Sequence, residues 1–153
     1  MAPIYLQRGG RCVQQNPTTA AGTLTFLRTV HGSLMLSMVL YVVVMRMIPA
    51  QNAEPLSSGM LWTLGGCAAV GLAAGQAIRL RHLRPAFETL RVKPDEPGAL
   101  VGWQKGVLVS DCLAEATVLY GFVIHMLGGA DREVAPFFVA GAAAMILWWP
   151  KMP

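Results

Sequence analysis

An all-α membrane protein, with four transmembrane helices packed as an antiparallel bundle, is the fold class this sequence predicts. Three observations predict it. Hydrophobic residues fill 54% of the 153 positions and charged residues only 13%, too apolar a balance for a soluble domain. The apolar residues fall in long runs, parted by short polar connectors that carry Pro, Asn or Gly. No strand-period alternation, heptad array or low-complexity tract competes with a helical reading. The whole of 1–153 reads as a single transmembrane domain.

The first helix is predicted over 24–48, apolar apart from Arg28, His31 and Arg46 near its ends, and long enough against the about 20 residues a span needs. Residues 1–23 carry Arg8 and Arg11 but no compact apolar core, and the run that follows is too long for a signal peptide, so it reads as a retained, uncleaved helix. Pro49, Asn52 and Pro55 break the helix within a short connector. The second helix, over 56–82, is uncharged as far as Ile78 and rich in Gly and Ala. Small residues let a neighbouring backbone approach closely, which marks Gly66, Gly71 and Gly75 as helix-packing positions.

A polar loop is predicted over 83–98, where Arg84, Arg91 and Lys93 stand against Glu88, Asp95 and Glu96 among three prolines, just after Arg79 and Arg81. The excess of Arg and Lys assigns this loop to the cytoplasm, and four spans then put both termini there too. The third helix is predicted over 99–127, with Trp103, Gln104 and Lys105 as an interfacial cluster at its entry. A short connector leads to a fourth helix over 134–149, which closes on Trp148, Trp149, Pro150 and Lys151, an aromatic and basic anchor. The expected location is a bacterial-type inner (plasma) membrane, crossed several times.

The net charge of +4 follows from this topology. The basic residues cluster between apolar runs with no aromatic-basic recognition motif, so nucleic acid is not an expected partner. Cys12, Cys67 and Cys112 have neither disulfide nor zinc spacing and read as small packing residues. There is no phosphate-cradling Gly loop with its Lys, no GxSxG elbow and no CxxCH haem attachment. No catalytic residue, cofactor or metal site is assigned, and the chain is not expected to be an enzyme.

The chemistry centres on Asp111 and Glu115. An ionisable side chain at bilayer depth is costly and by default marks function. Glu115 lies 16 residues beyond Ala99, about 24 Å along a helix, which puts it in the middle to outer part of a roughly 30 Å hydrocarbon layer. Asp111 is one turn nearer the cytoplasm on the same face. Desolvation and mutual repulsion both disfavour two ionised carboxylates so close together. Gln104, Asp111, Phe122 and His125 align on the third helix, with Glu115 beside them, as a polar stripe that should face protein. His31 and His125 read as packed, hydrogen-bonded residues. In a purely structural role the acids would lock helix packing, with Lys105 or Arg28 neutralising one of them.

Residues 65–127 resemble the proteolipid (subunit c) superfamily that forms the rotor ring of rotary ATP synthases and ATPases. The features that carry the resemblance are the Gly-rich stretch Gly65 to Gly75, the polar loop from Arg84-Pro85 through Pro97, and Ala114-Glu115-Ala116-Thr117-Val118-Leu119-Tyr120-Gly121. The resemblance implies a central subunit c-like hairpin in which Glu115 carries the ion and Tyr120 shields it or hydrogen-bonds to it. Thr117 fits among its ligands, and Ala116, in place of a Ser, favours protons over sodium. Asp111 adds an acid where the family is usually apolar or small.

Three functions are therefore expected in turn. The first is a small subunit of a larger membrane complex, structural or subunit c-like, with the lipid bilayer and either copies of itself or other membrane subunits as partners. The second is a proton- or ion-handling protein using Glu115 and Asp111. The third is a membrane enzyme or metal-binding protein using the carboxylates and His31.

Overall fold

A computed structural model describes residues 19–48 and 56–152. Among the described residues the chain is all helical: α1 (Ala20–Met47), α2 (Ser58–Val92), α3 (Pro97–Met126) and α4 (Asp131–Leu147). Arg8, Arg11, Cys12 and the connector with Pro49, Asn52 and Pro55 lie outside the described residues.

Local signals set the helix ends. The Thr19 side chain accepts from the Gly22 amide and the Ser57 side chain from the Met60 amide, capping α1 and α2. Pro97 opens α3, where a missing amide costs nothing. Gly128, at φ 88°, ends α3 in the left-handed region that glycine tolerates. Glu133 reaches back to the Ala130 amide at 2.9 Å and, with Asp131, places negative charge at the start of α4.

α3 is the central helix. Twelve of its 30 residues are buried, against five of 28 in α1 and four of 35 in α2. It packs against all three other helices, most extensively against α2, so that α2 and α3 form a hairpin. Three helices, α1, α2 and α3, are long and apolar enough to cross a membrane. The expected fourth span, α4, is too short for that class: its 17 residues run about 26 Å at about 1.5 Å per residue.

The expected loop over 83–98 is mostly helix, because α2 continues through Pro85 to Val92 and only the turn around Lys93–Glu96 separates it from α3. A proline inside a helix costs about 3 kcal/mol, but each large apolar side chain buried offsets about 1.5–3 kcal/mol. Leu83, Ala86, Phe87 and Leu90, spaced as one helical face, pack with Leu24 and Leu27 of α1 and Leu100, Trp103 and Val107 of α3. Trp103 is thus a core residue, fully buried with its ring edge-on to Phe87 at 6.1 Å, and not the expected interfacial anchor. A second core joins Met38, Ala114, Val118, Ala144, Met145 and Trp148 further along the bundle.

Close helix approach is concentrated at glycines. A Cβ at Gly141 would meet the Val118 side chain and lie 2.9 Å from the Ala114 carbonyl, and one at Gly75 would lie 2.9 Å from the Trp148 ring. Of the three glycines expected to pack, Gly75 alone does so among the described residues, where Gly66 and Gly71 meet nothing within 4 Å. Cys67 and Cys112 are free and exposed rather than packed, on helix faces turned away from the rest of the bundle.

Candidate functional site

All four helices contribute to one polar layer. His31 Nδ1 of α1 lies 2.8 Å from Asp111 Oδ2 of α3, with both side chains fully buried. The His31 ring meets Trp149 edge-on at 5.0 Å. Arg79 of α2 donates to the Trp148 carbonyl at 2.8 Å and to Ser110 Oγ at 3.4 Å, and its charge acts on Asp111 through space. The carbonyl it reaches is one that the end of α4 leaves without a helical partner, so the guanidinium serves as a C-terminal cap. His31 Nε2 and Asp111 Oδ1 are buried without a hydrogen-bond partner among the described residues.

One turn along α3 from Asp111, Glu115 forms a second tier. Its Oε1 accepts from Ser37 Oγ at 2.6 Å and from Tyr41 OH at 3.2 Å, both on α1. Ser37 and Tyr41 are four residues apart, so they share one face of α1 and converge on one carboxyl oxygen. The Tyr41 ring leans on Phe122 at 5.5 Å, which holds the phenol against α3. Ser37 Oγ also lies 2.7 Å from the Leu34 carbonyl. A hydroxyl has one proton and two acceptor positions, so Ser37 can donate to Leu34 while accepting from a protonated Glu115, or donate to an ionised one.

The two acids are therefore brought to a common seam but given separate partners, both from α1. Tyr120 makes no hydrogen bond to Glu115 among the described residues: five residues on, it is turned about 140° around the helix. The Thr117 hydroxyl is occupied by the Leu113 carbonyl at 3.1 Å. Lys105 and Arg28, expected to neutralise an acid, are exposed, and His31 stands beside Asp111 instead. His125 sits at the opposite end of the bundle, with Nε2 3.3 Å from the Ile48 carbonyl. Among the described residues no three His, Cys, Asp or Glu side chains converge to hold a metal ion.

No family model, curated protein or solved structure matches this chain. The site's meaning therefore rests on its geometry. Ser37, Tyr41 and Arg79 were not singled out from the sequence. The signal available for the first two was their place in a row of hydroxyl side chains that recurs every four residues along α1, at Thr25, Thr29, Ser33, Ser37 and Tyr41.

Proposed function

We propose that the chain is a small integral membrane subunit of a larger complex in which Glu115 exchanges a proton. The observation that carries this reading is Ser37, whose single hydroxyl proton stands between the Leu34 carbonyl at 2.7 Å and Glu115 Oε1 at 2.6 Å. Either protonation state of Glu115 then keeps its hydrogen bonds by rotation of one hydroxyl, with no movement of backbone. A carboxyl that only glued helices together would not need a partner that serves both states.

On this reading the hairpin of α2 and α3 corresponds to the proteolipid-like unit, Glu115 is its carrier, and α1 covers the acid. The three spans α1, α2 and α3, with the shorter α4 returning beside them, fit a hydrocarbon layer bounded on one side by the polar layer of Arg79, Asp111, His31 and Trp148. From that layer to the far ends, α1 to α4 run about 24, 32, 23 and 26 Å, close to the roughly 30 Å of a bilayer core. Glu115 then lies one turn inside the layer's edge, rather than in its middle. The Arg-rich turn and both chain ends fall on the cytoplasmic side of an inner membrane.

The test uses the protein reconstituted in liposomes. A hydrophobic carbodiimide, which attacks protonated carboxyls in apolar surroundings, labels Glu115, and Glu115→Gln removes both the label and the acid-driven proton flux. An unlabelled Glu115 together with unchanged flux in Glu115→Gln refutes the reading.

A structural reading has its own observation: α1 buries only five of its 28 residues, and the acids of α3 supply its polar attachments. In this role the carboxyls tether α1, and the protein copurifies with a stable membrane partner or ring while Glu115→Gln leaves flux untouched.

A further inference from the structure

We propose that the bundle carries a binding collar for the phosphate headgroups of anionic phospholipids, formed by Arg28, Arg81, Arg84, Lys105 and Lys151. All five are exposed, and they come from α1, α2 twice, α3 and the segment just after α4. Their heights agree. His82 and Leu83 meet Gly106, which sets Arg81 and Arg84 level with Lys105. Arg28 is one residue from Leu27, which packs in the same core as Val107. Lys151 lies three residues beyond Trp148, whose carbonyl binds Arg79.

Of the acids on this side of the bundle, Glu88 lies one turn beyond Arg84 on α2, and Asp95 and Glu96 lie further out, at the tip of the hairpin, where Arg91 and Lys93 offset them. Among the described residues the opposite end has no such excess, with Arg46 and Arg132 against Asp131 and Glu133. A folded protein partner reads a patch on one side of its target. Cations on three helices and just after the fourth, at one height, match a layer that meets the bundle all round, and the exposed Trp149 supplies an aromatic side chain that favours that depth. The collar is level with the inner part of the core around Leu27, Trp103 and Val107, beyond which most of the exposed charges lie, while the second core is flanked by exposed Val, Leu and Ile. It follows that the tip beyond the collar, about 12–16 Å of α2 and α3 with the first turns of α1, projects into water.

Tryptophan quenching by brominated lipids tests the collar directly. In a Trp62→Phe background the exposed far-end indole is gone and Trp103 and Trp148 are buried, so the exposed Trp149 reports on lipid next to the collar. Brominated phosphatidylglycerol is expected to compete better than brominated phosphatidylcholine for these sites. Each single change Arg28→Gln, Arg81→Gln, Arg84→Gln or Lys105→Gln should lower that preference about 5-fold, the factor that about 1 kcal/mol per cation near an anionic surface corresponds to. Arg46→Gln and Arg132→Gln should leave it unchanged. Equal quenching by the two lipids overturns the proposal, as does an equal loss from the far-end variants. Loss of a bound acidic protein in the collar variants, with no lipid preference in the parent, assigns the collar to a protein partner and overturns it as well. Neither result bears on proton exchange at Glu115.

Discussion

Replacing His31 and Asp111 by Ala, singly and together, measures how firmly the polar layer holds α1 to the bundle. The pair is 2.8 Å apart with both side chains fully buried, and Asp111 Oδ1 has no other partner to fall back on. Two scales compete for the magnitude. Breaking a buried pair in a water-soluble protein costs about 3–5 kcal/mol. Couplings between membrane helices average about 0.6 kcal/mol and reach about 1.7, because separated helices find other polar partners. The second scale governs here, since Asp111 lies near Arg79 and one or two turns from the basic collar, where a released carboxyl reaches cations or water. Full burial places the pair at the upper end of that scale, so the expected coupling is about 1.5 kcal/mol, a little over tenfold in the unfolding equilibrium. Reversible unfolding in mixed micelles titrated with sodium dodecyl sulfate supplies the four stabilities of the cycle. A coupling below about 0.3 kcal/mol, the range in which independent sites simply add, refutes the claim that this pair fastens α1.

Three further outcomes are expected. Gly141→Leu drives a side chain into Val118 and the Ala114 carbonyl, so α4 should part from α3 at a cost of about 1–3 kcal/mol in the same unfolding assay. Gly66→Ala and Gly71→Ala have open space around them and should stabilise the isolated chain by up to about 1 kcal/mol through helix propensity, while a loss of oligomer on native gels would place a neighbouring helix there. With native cysteines removed, Cys placed at Glu88 or Val101, exposed at the hairpin tip, should react in liposomes with a water-soluble maleimide once that side is accessible, whereas Cys at Val70 or Val139 should not. Equal labelling at all four would remove the projecting tip.

The missed extension of α2 was legible in principle. Leu83, Ala86, Phe87 and Leu90 recur at helical spacing straight through Pro85, and the charges around them made a loop the simpler reading. Three prolines weighed more than that stripe, yet Pro97 opens a helix and Pro85 is outweighed by the core its neighbours build. On the membrane placement proposed above, Glu115 lies nearer the edge of the hydrocarbon than a count from Ala99 gives, because the first four turns of α3 flank the core around Trp103. The two acids themselves were visible, being charged residues in an apolar run, but nothing near them in the chain named their partners.

What the sequence by itself determined is the class of the molecule: all-helical, with membrane-length apolar helices, and a pair of acids one turn apart inside the third. Composition and the spacing of charges are local properties, and helices in lipid satisfy their own backbone, so these features survive without knowledge of packing. Only the tertiary structure decided that Asp111 meets His31 while Glu115 meets Ser37 and Tyr41, partners 74 to 80 residues away. The physical reason is that α3 is apolar nearly all round, so no hydrophobic face directs its neighbours. Its contacts with α2 and α4 are selected by shape instead, at Gly75, Gly121 and Gly141, where missing side chains let helices close in, while α1 is placed by its own polar groups on the two carboxyls.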